Sequence, residues 1–169
     1  RGKYFSLKTK RPGLYLLRAF SGFIAMFAFY IALSHVPLVS ASLLAMTYAL
    51  FIPILSFMFL GAKTSAKSWL ALGVGFVGII FILKPGGSAF NPWALLALIT
   101  GLAAAISYLS VHELAKEDDV YTIMFYYFPL TFVLSGILSM FNWRTPDLRT
   151  ILILLVMGIV GAAHQELLT

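Results

Sequence analysis

Residues 92–111 read PWALLALITGLAAAISYLSV, twenty consecutive positions without a charge. At about 1.5 Å of rise per residue such a run makes a helix about 30 Å long, the thickness of a bilayer's hydrocarbon core. Working outward, the run extends to 92–114 and has five companions. Three precede it, at 14–35, 40–60 and 64–83, and two follow, at 121–141 and 148–169. The third is short and begins by letting Lys67 reach the interface. Composition agrees: 61% of residues are hydrophobic, 11% are charged and the mean hydropathy is +0.96, outside the range of water-soluble domains. The expected fold class is all-α, a polytopic transmembrane helix bundle.

The segments between the runs are short and rich in Pro and Gly: Val36-Pro37-Leu38-Val39, Gly61-Ala62-Lys63, Lys84-Pro85-Gly86-Gly87, and Asn142-Trp143-Arg144-Thr145-Pro146. Such residues end helices, and none of these segments has room for a soluble domain. The chain opens on Arg1 and its last apolar run reaches Thr169 without a cap, as expected of a piece of a longer membrane protein.

Orientation follows from the Lys and Arg residues on alternate sides of the runs. Nine of the twelve fall on one side (Arg1, Lys3, Lys8, Lys10, Arg11, Arg18, Lys63, Lys67, Lys116), and three on the other (Lys84, Arg144, Arg149). The positive-inside rule places the first group in the cytoplasm, so the protein is expected to be integral to the cytoplasmic membrane. The formal charge of +6 is thereby a topology signal, and no nucleic-acid partner is expected. Trp69, Trp93 and Trp143 lie near run ends, where aromatic belts form.

Small residues recur every three or four positions: Ser21, Ala25, Ala28 and Ala32, leading to His35, in the first run, and Ala41, Ala45 and Ala49 in the second. Ala71, Gly75 and Gly78, then Ala97, Gly101 and Ala105, then Gly158 and Ala162 repeat the pattern in the third, fourth and sixth. Lipid tails supply no hydrophobic drive between helices, so close backbone approach along such faces is what packs a bundle.

Chemistry-bearing residues are few. With no cysteine, thiolate chemistry and disulfides are excluded. HExxH, GxSxG, P-loop and nucleotide-fingerprint motifs are all missing, so no enzyme activity, catalytic residue, cofactor or metal is expected. Pro53 and Pro129 lie inside runs and release the carbonyls of Ala49 and Phe125; Pro53 is the hinge candidate. Arg18 and Glu113 sit near run ends, as snorkelling residues do. On a helix turning about 100° per residue, Gln165 shares the Gly158–Ala162 face, Glu166 flanks it, and His164 is about 120° away. Tyr108 and His112 share the stripe of Gly101 and Ala105 and are expected to point toward neighbouring helices. The cavity-lining candidates are Tyr30, Tyr48, Tyr108, Gln165 and Glu166.

The wording of residues 32–42, Ala-Leu-Ser-His-Val-Pro-Leu-Val-Ser-Ala-Ser, resembles the tight turn between the third and fourth helices of EamA-type transporters in the drug/metabolite transporter superfamily. Thr47 to Pro53, Leu60-Gly61, Trp69 to Gly73, Gly75 to Gly78 and Lys84-Pro85-Gly86 follow in that family's order. Two positions depart from it. Ala62 stands where the family usually has Glu, and Ala49 where it commonly has Pro. The resemblance implies ten helices in two inverted repeats, of which this chain holds six. Residues 1–83 would end the first repeat and 84–169 would begin the second. Gly22-Phe23-Ile24 and Gly158-Ile159-Val160 match in runs of opposite direction, as inverted repeats require.

The expected function is therefore secondary transport of a small polar metabolite, such as an amino acid or related compound, by alternating access. The expected partners are the bilayer, a small-molecule substrate and, as an option, a second copy in a homodimer. A non-transporting membrane scaffold or assembly subunit is the alternative.

Overall fold

The computed structural model describes residues 11–83, 92–141 and 145–167, the side chains of 82, 83, 162 and 164–167 excepted. Every regular element among them is a helix: α1 Pro12–Leu33, α2 Leu38–Ala45, α3 Tyr48–Leu60, α4 Ala66–Leu83, α5 Pro92–Leu114, α6 Val120–Phe141 and α7 Leu148–Leu167. Local chemistry sets their ends. Pro12 and Pro92 open α1 and α5, where a missing N–H is no loss. Ser65 Oγ accepts the Ser68 N–H at 3.2 Å ahead of α4, and Asp147 Oδ1 accepts the Thr150 N–H at 3.2 Å ahead of α7, each satisfying one orphan donor. Gly61 stops α3 at φ +61°, and the Ala62 N–H reaches back to the Ser56 carbonyl at 3.3 Å. A side chain at Gly61 would be strained in that left-handed conformation.

Four stretches are long and apolar enough to cross a bilayer: Pro12–Leu33, Leu38–Leu60, Pro92–Leu114 and Val120–Phe141. Shorter apolar stretches occupy Ala66–Phe81 and Leu148–Gly161. Large apolar side chains face outward along them, with Phe81 75% and Met140 82% exposed. Water would penalise that surface heavily, whereas lipid solvates it. The protein is an integral, multi-pass membrane protein.

The expected bounds agree with the helices to within a few residues, with one difference. The single run predicted over 40–60 is two helices, α2 and α3, broken at Met46–Thr47.

The chain divides into two compact units. In Leu16–Ser110, Ala32, Leu44, Ile79, Ala94 and Ala97 form a buried core flanked by Leu50, Phe76 and Leu98. There α4 packs on α2 and α3, and Gly75 is close enough to Leu50 that an added methyl would lie 2.6 Å from its side chain. In the other unit, which takes the described residues up to Tyr15 and those from Val111 onward, Tyr15, Leu114 and Ile123 are buried together beside Leu14, Ala115 and Tyr126.

Not every small-residue stripe is used. Ser21, Ala25, Ala28, Ala32, Ala97, Gly101 and Ala105 are buried as expected. Ala49, Ala71, Gly78 and Gly158 are exposed, and nothing lies within 4 Å of a methyl built on Gly78 or Gly158. Among the described residues no helix covers those faces.

Candidate functional site

The unit Leu16–Ser110 holds the polar and aromatic groups that meet inside the apolar layer. Its centre is α5, whose small residues let neighbouring backbones come close. Gly101 is the tightest point. A methyl there would strike the Thr47 hydroxyl and sit 3.0 Å and 3.1 Å from the carbonyls of Leu44 and Ala45. Those carbonyls end α2 at the break in the second span, so α5 bears directly on the break.

Beside this contact Tyr48, the first residue of α3, meets Tyr108 of α5, with ring centroids 5.0 Å apart and planes tilted by 43°. Both are partly buried. The geometry lies within the favourable range for aromatic pairs, worth about 0.5–1.5 kcal/mol beyond burial.

Toward the Pro12 end of α1, Arg18 is only 5% exposed. Its Nη1 donates to Ser107 Oγ on α5, and the Ser107 hydroxyl donates to the Arg18 carbonyl at 3.2 Å. The snorkelling expected for Arg18 is therefore corrected: the guanidinium is enclosed by protein. Thr100 and Ser110, also buried on α5, turn their hydroxyls to the Leu96 and Ile106 carbonyls of their own helix, at 3.3 Å and 2.8 Å. At the other end of α1, the His35 ring stacks on Trp93 with centroids 3.7 Å apart and planes within 13°, while His35 Nδ1 lies 3.1 Å from the Ile31 carbonyl. Arg18–Ser107 and His35–Trp93 occur in opposite chain order, so α1 and α5 are antiparallel neighbours.

The second unit carries a different polar cluster. Tyr15 is buried, donates its hydroxyl to Asp118 Oδ2 at 2.8 Å and packs its ring 4.8 Å from that of Tyr126. Arg11 and Glu117 pair at 2.6 Å, and Lys116 and Glu113 at 2.5 Å. These bonds tie the acidic connection between α5 and α6 to the start of α1.

Of the residues singled out from sequence, Tyr48 and Tyr108 are thus brought together. Tyr30 stands apart: it is 51% exposed, on the face of α1 opposite Ala28 and Ala32, with its nearest ring partner in the adjacent Phe29. Gln165 and Glu166 fall in the last turn of α7, and their side chains lie outside the described residues. Pro53 is accommodated within α3 without interrupting it. His112, expected to face a neighbouring helix, is exposed in the last turn of α5. Sequence reasoning missed Ser107, Thr47 and the break itself, because Met46–Thr47 contains neither Gly nor Pro. The available signal was Thr47, whose hydroxyl competes for a backbone carbonyl.

Chemically, the site offers aromatic faces, hydroxyls and close-packed backbone. Among the described residues no three His, Asp or Glu side chains converge on a metal-sized position.

The family model for the EamA-like transporter family matches residues 2–84. Aligned over nearly the whole chain, the S-adenosylmethionine uptake transporter of Rickettsia bellii is 29% identical, covering 93% of this chain and 54% of the relative. Residues 2–84 thus carry an EamA-like transporter domain. A riboflavin transporter of Vibrio cholerae is 32% identical, covering 95% of this chain and 54% of its own length. A pseudopaline exporter of Pseudomonas aeruginosa is 27% identical, with 97% and 58% covered. The chain spans about half the length of the curated relatives it matches, and no solved structure matches it. The family and these relatives are transporters, not enzymes. In this EamA-like chain the quoted turn at 32–42 joins α1 to α2, held by the His35 and Val36 N–H groups bonding the Ala32 carbonyl at 3.0 Å and 2.8 Å. Ala62, where the family usually has Glu, is exposed just past Gly61.

Proposed function

We propose that this chain forms part of a secondary transporter of the cytoplasmic membrane. It would carry a small polar metabolite, such as an amino acid or related compound, by alternating access between two inverted repeats. The observation that carries this reading is the meeting of Tyr108 with Tyr48 at an interrupted membrane span. Discontinuous helices that meet a neighbouring helix at membrane depth are where secondary transporters bind their cargo. The EamA-like match over residues 2–84 supports it, and ends beside the expected repeat boundary at 83/84. The relatives come from bacteria, and their names describe uptake of S-adenosylmethionine, transport of riboflavin and export of pseudopaline. The nine-to-three split of basic residues supports a cytoplasmic location for the Arg11 end of α1. Tyr30, Gln165 and Glu166 remain proposed lining, with Glu166 able to hold a proton or a cationic group.

The test is uptake and counterflow by the purified full-length protein in liposomes, using radiolabelled amino acids, S-adenosylmethionine and riboflavin. Saturable movement of one of them, accelerated by the same compound on the far side, is the expected outcome. A panel with no saturable movement would favour the scaffold role instead. Glu166→Gln separates its part: transport unchanged at every pH removes Glu166 from the proposal.

A further inference from the structure

The second span is one hydrophobic stretch in sequence and two helices in space. At the break, the Thr47 N–H and hydroxyl both donate to the Leu44 carbonyl, at 3.2 Å and 2.6 Å. The Ala49 N–H goes to Met46 O at 3.2 Å and the Leu50 N–H to Thr47 O at 2.9 Å. Three-residue steps therefore replace four-residue steps for one turn, and Ala49 does not close the rung to Ala45 that a continuous helix would have. In a bilayer a missing rung is costly and is tolerated where neighbouring protein compensates. Here α5 covers the break by close packing. Gly101 presents bare backbone to Thr47 and to the last carbonyls of α2, with no room for even a methyl group.

We propose that the second span works as two stiff segments, α2 and α3, which pivot at Met46–Thr47 against Gly101 as the fulcrum. Thr47 and Gly101 would then be positioning residues for the Tyr48–Tyr108 pair. The use made of the movement rests on the transporter reading above; the pivot itself does not. Pro53 is the poorer hinge because its missing rung is permanent: proline has no N–H to give back. The Met46–Thr47 rungs are made of ordinary amides, so they can close into a continuous helix and open again. The Thr47 hydroxyl holds the open form by occupying the Leu44 carbonyl.

This chain has no cysteine, so paired spin labels in the full-length protein in liposomes, with any cysteine outside these residues replaced, give a direct test. One label pair, at Leu43 and Met58, brackets the break; a control pair, at Leu16 and Phe27, lies on the unbroken α1. All four positions are exposed. The expected result is a bimodal distance distribution for the first pair and a single narrow peak for the control. Thr47→Val should deplete the open population about fivefold, the weight of one hydrogen bond of about 1 kcal/mol, and Thr47→Ser should restore it. Hydrogen exchange on the unaltered protein is the second measurement, with the Ala49 and Leu50 amides expected to exchange faster than those of mid-α5. One narrow peak for both pairs, with no excess exchange at 49–50, would overturn the pivot. So would a folded Thr47→Val variant whose distances match those of the unaltered protein. Failure of every transport assay would sink the proposed function, while the distances would still decide the pivot.

Discussion

Tyr48 and Tyr108 pack ring to ring at 5.0 Å although one opens the second half of span two and the other lies sixty residues on, in α5. Under the proposed function the pair would join segments of different repeats. Tyr108→Leu is expected to weaken substrate half-saturation about three- to tenfold, matching the worth of an aromatic pair. Tyr108→Phe, which keeps the ring, should stay within about twofold on the same reasoning. Equal losses in both variants would assign the effect to the hydroxyl.

Arg18 and Ser107 lock α1 to α5 by donating in both directions. Ser107→Ala leaves a buried guanidinium short of an acceptor, a loss of about 1–3 kcal/mol, visible as a lower melting temperature in detergent. Combining it with Arg18→Met should cost less than the two single changes together, since both changes remove the same shared contact. Additive losses would show that the two side chains act independently.

Tyr15→Phe removes a part-buried hydrogen bond to the Asp118 carboxylate and should cost about 1.5–3 kcal/mol. Arg11→Gln removes an ion pair whose partners are 48% and 42% exposed, and should cost less than about 1 kcal/mol. Proteolysis of the 115–119 connection in detergent reads both: Tyr15→Phe is expected to speed cleavage more than Arg11→Gln.

Asp147 gives a pH dependence. The Thr150 hydroxyl and then the Thr150 N–H stabilise its carboxylate, holding its pKa below the ordinary 3.8. A lowered folded-state pKa means that the capping interaction is fully present above the ordinary carboxylate range. It is lost as pH falls through the lowered value. Amide protection in the first turn of α7, taken relative to the intrinsic exchange rate at each pH, should therefore fall in acid, below about pH 4. Asp147→Asn should abolish that acid response; if it persists, another group controls the turn.

Much of the fold was legible because hydrophobic length is a strong signal: an uncharged run of twenty residues has few other uses. The antiparallel α1–α5 seam was legible in part, through Ala25, Ala28 and Ala32 on one helix and Ala97, Gly101 and Ala105 on the other. What the sequence hid were features set by a partner helix. Arg18 looked like an interfacial cation because only the position of Ser107 reveals its enclosure. The break at Met46–Thr47 looked like continuous helix because Gly101, the residue packed against it, lies more than fifty residues away in the chain. Tyr30 was grouped with Tyr48 and Tyr108 by residue type, and residue type does not record which side of α1 it occupies.

The α1–α5 seam also limits how this chain can drift. An inserted residue anywhere between Trp93 and Ser107 would turn everything beyond it by about 100°, carrying Ser107 away from Arg18 and Tyr108 away from Tyr48. Substitutions along α5 can be absorbed one at a time, but a change in its length cannot. Across related proteins α5 should therefore hold a fixed residue count between these two partners, with insertions and deletions confined to the connections.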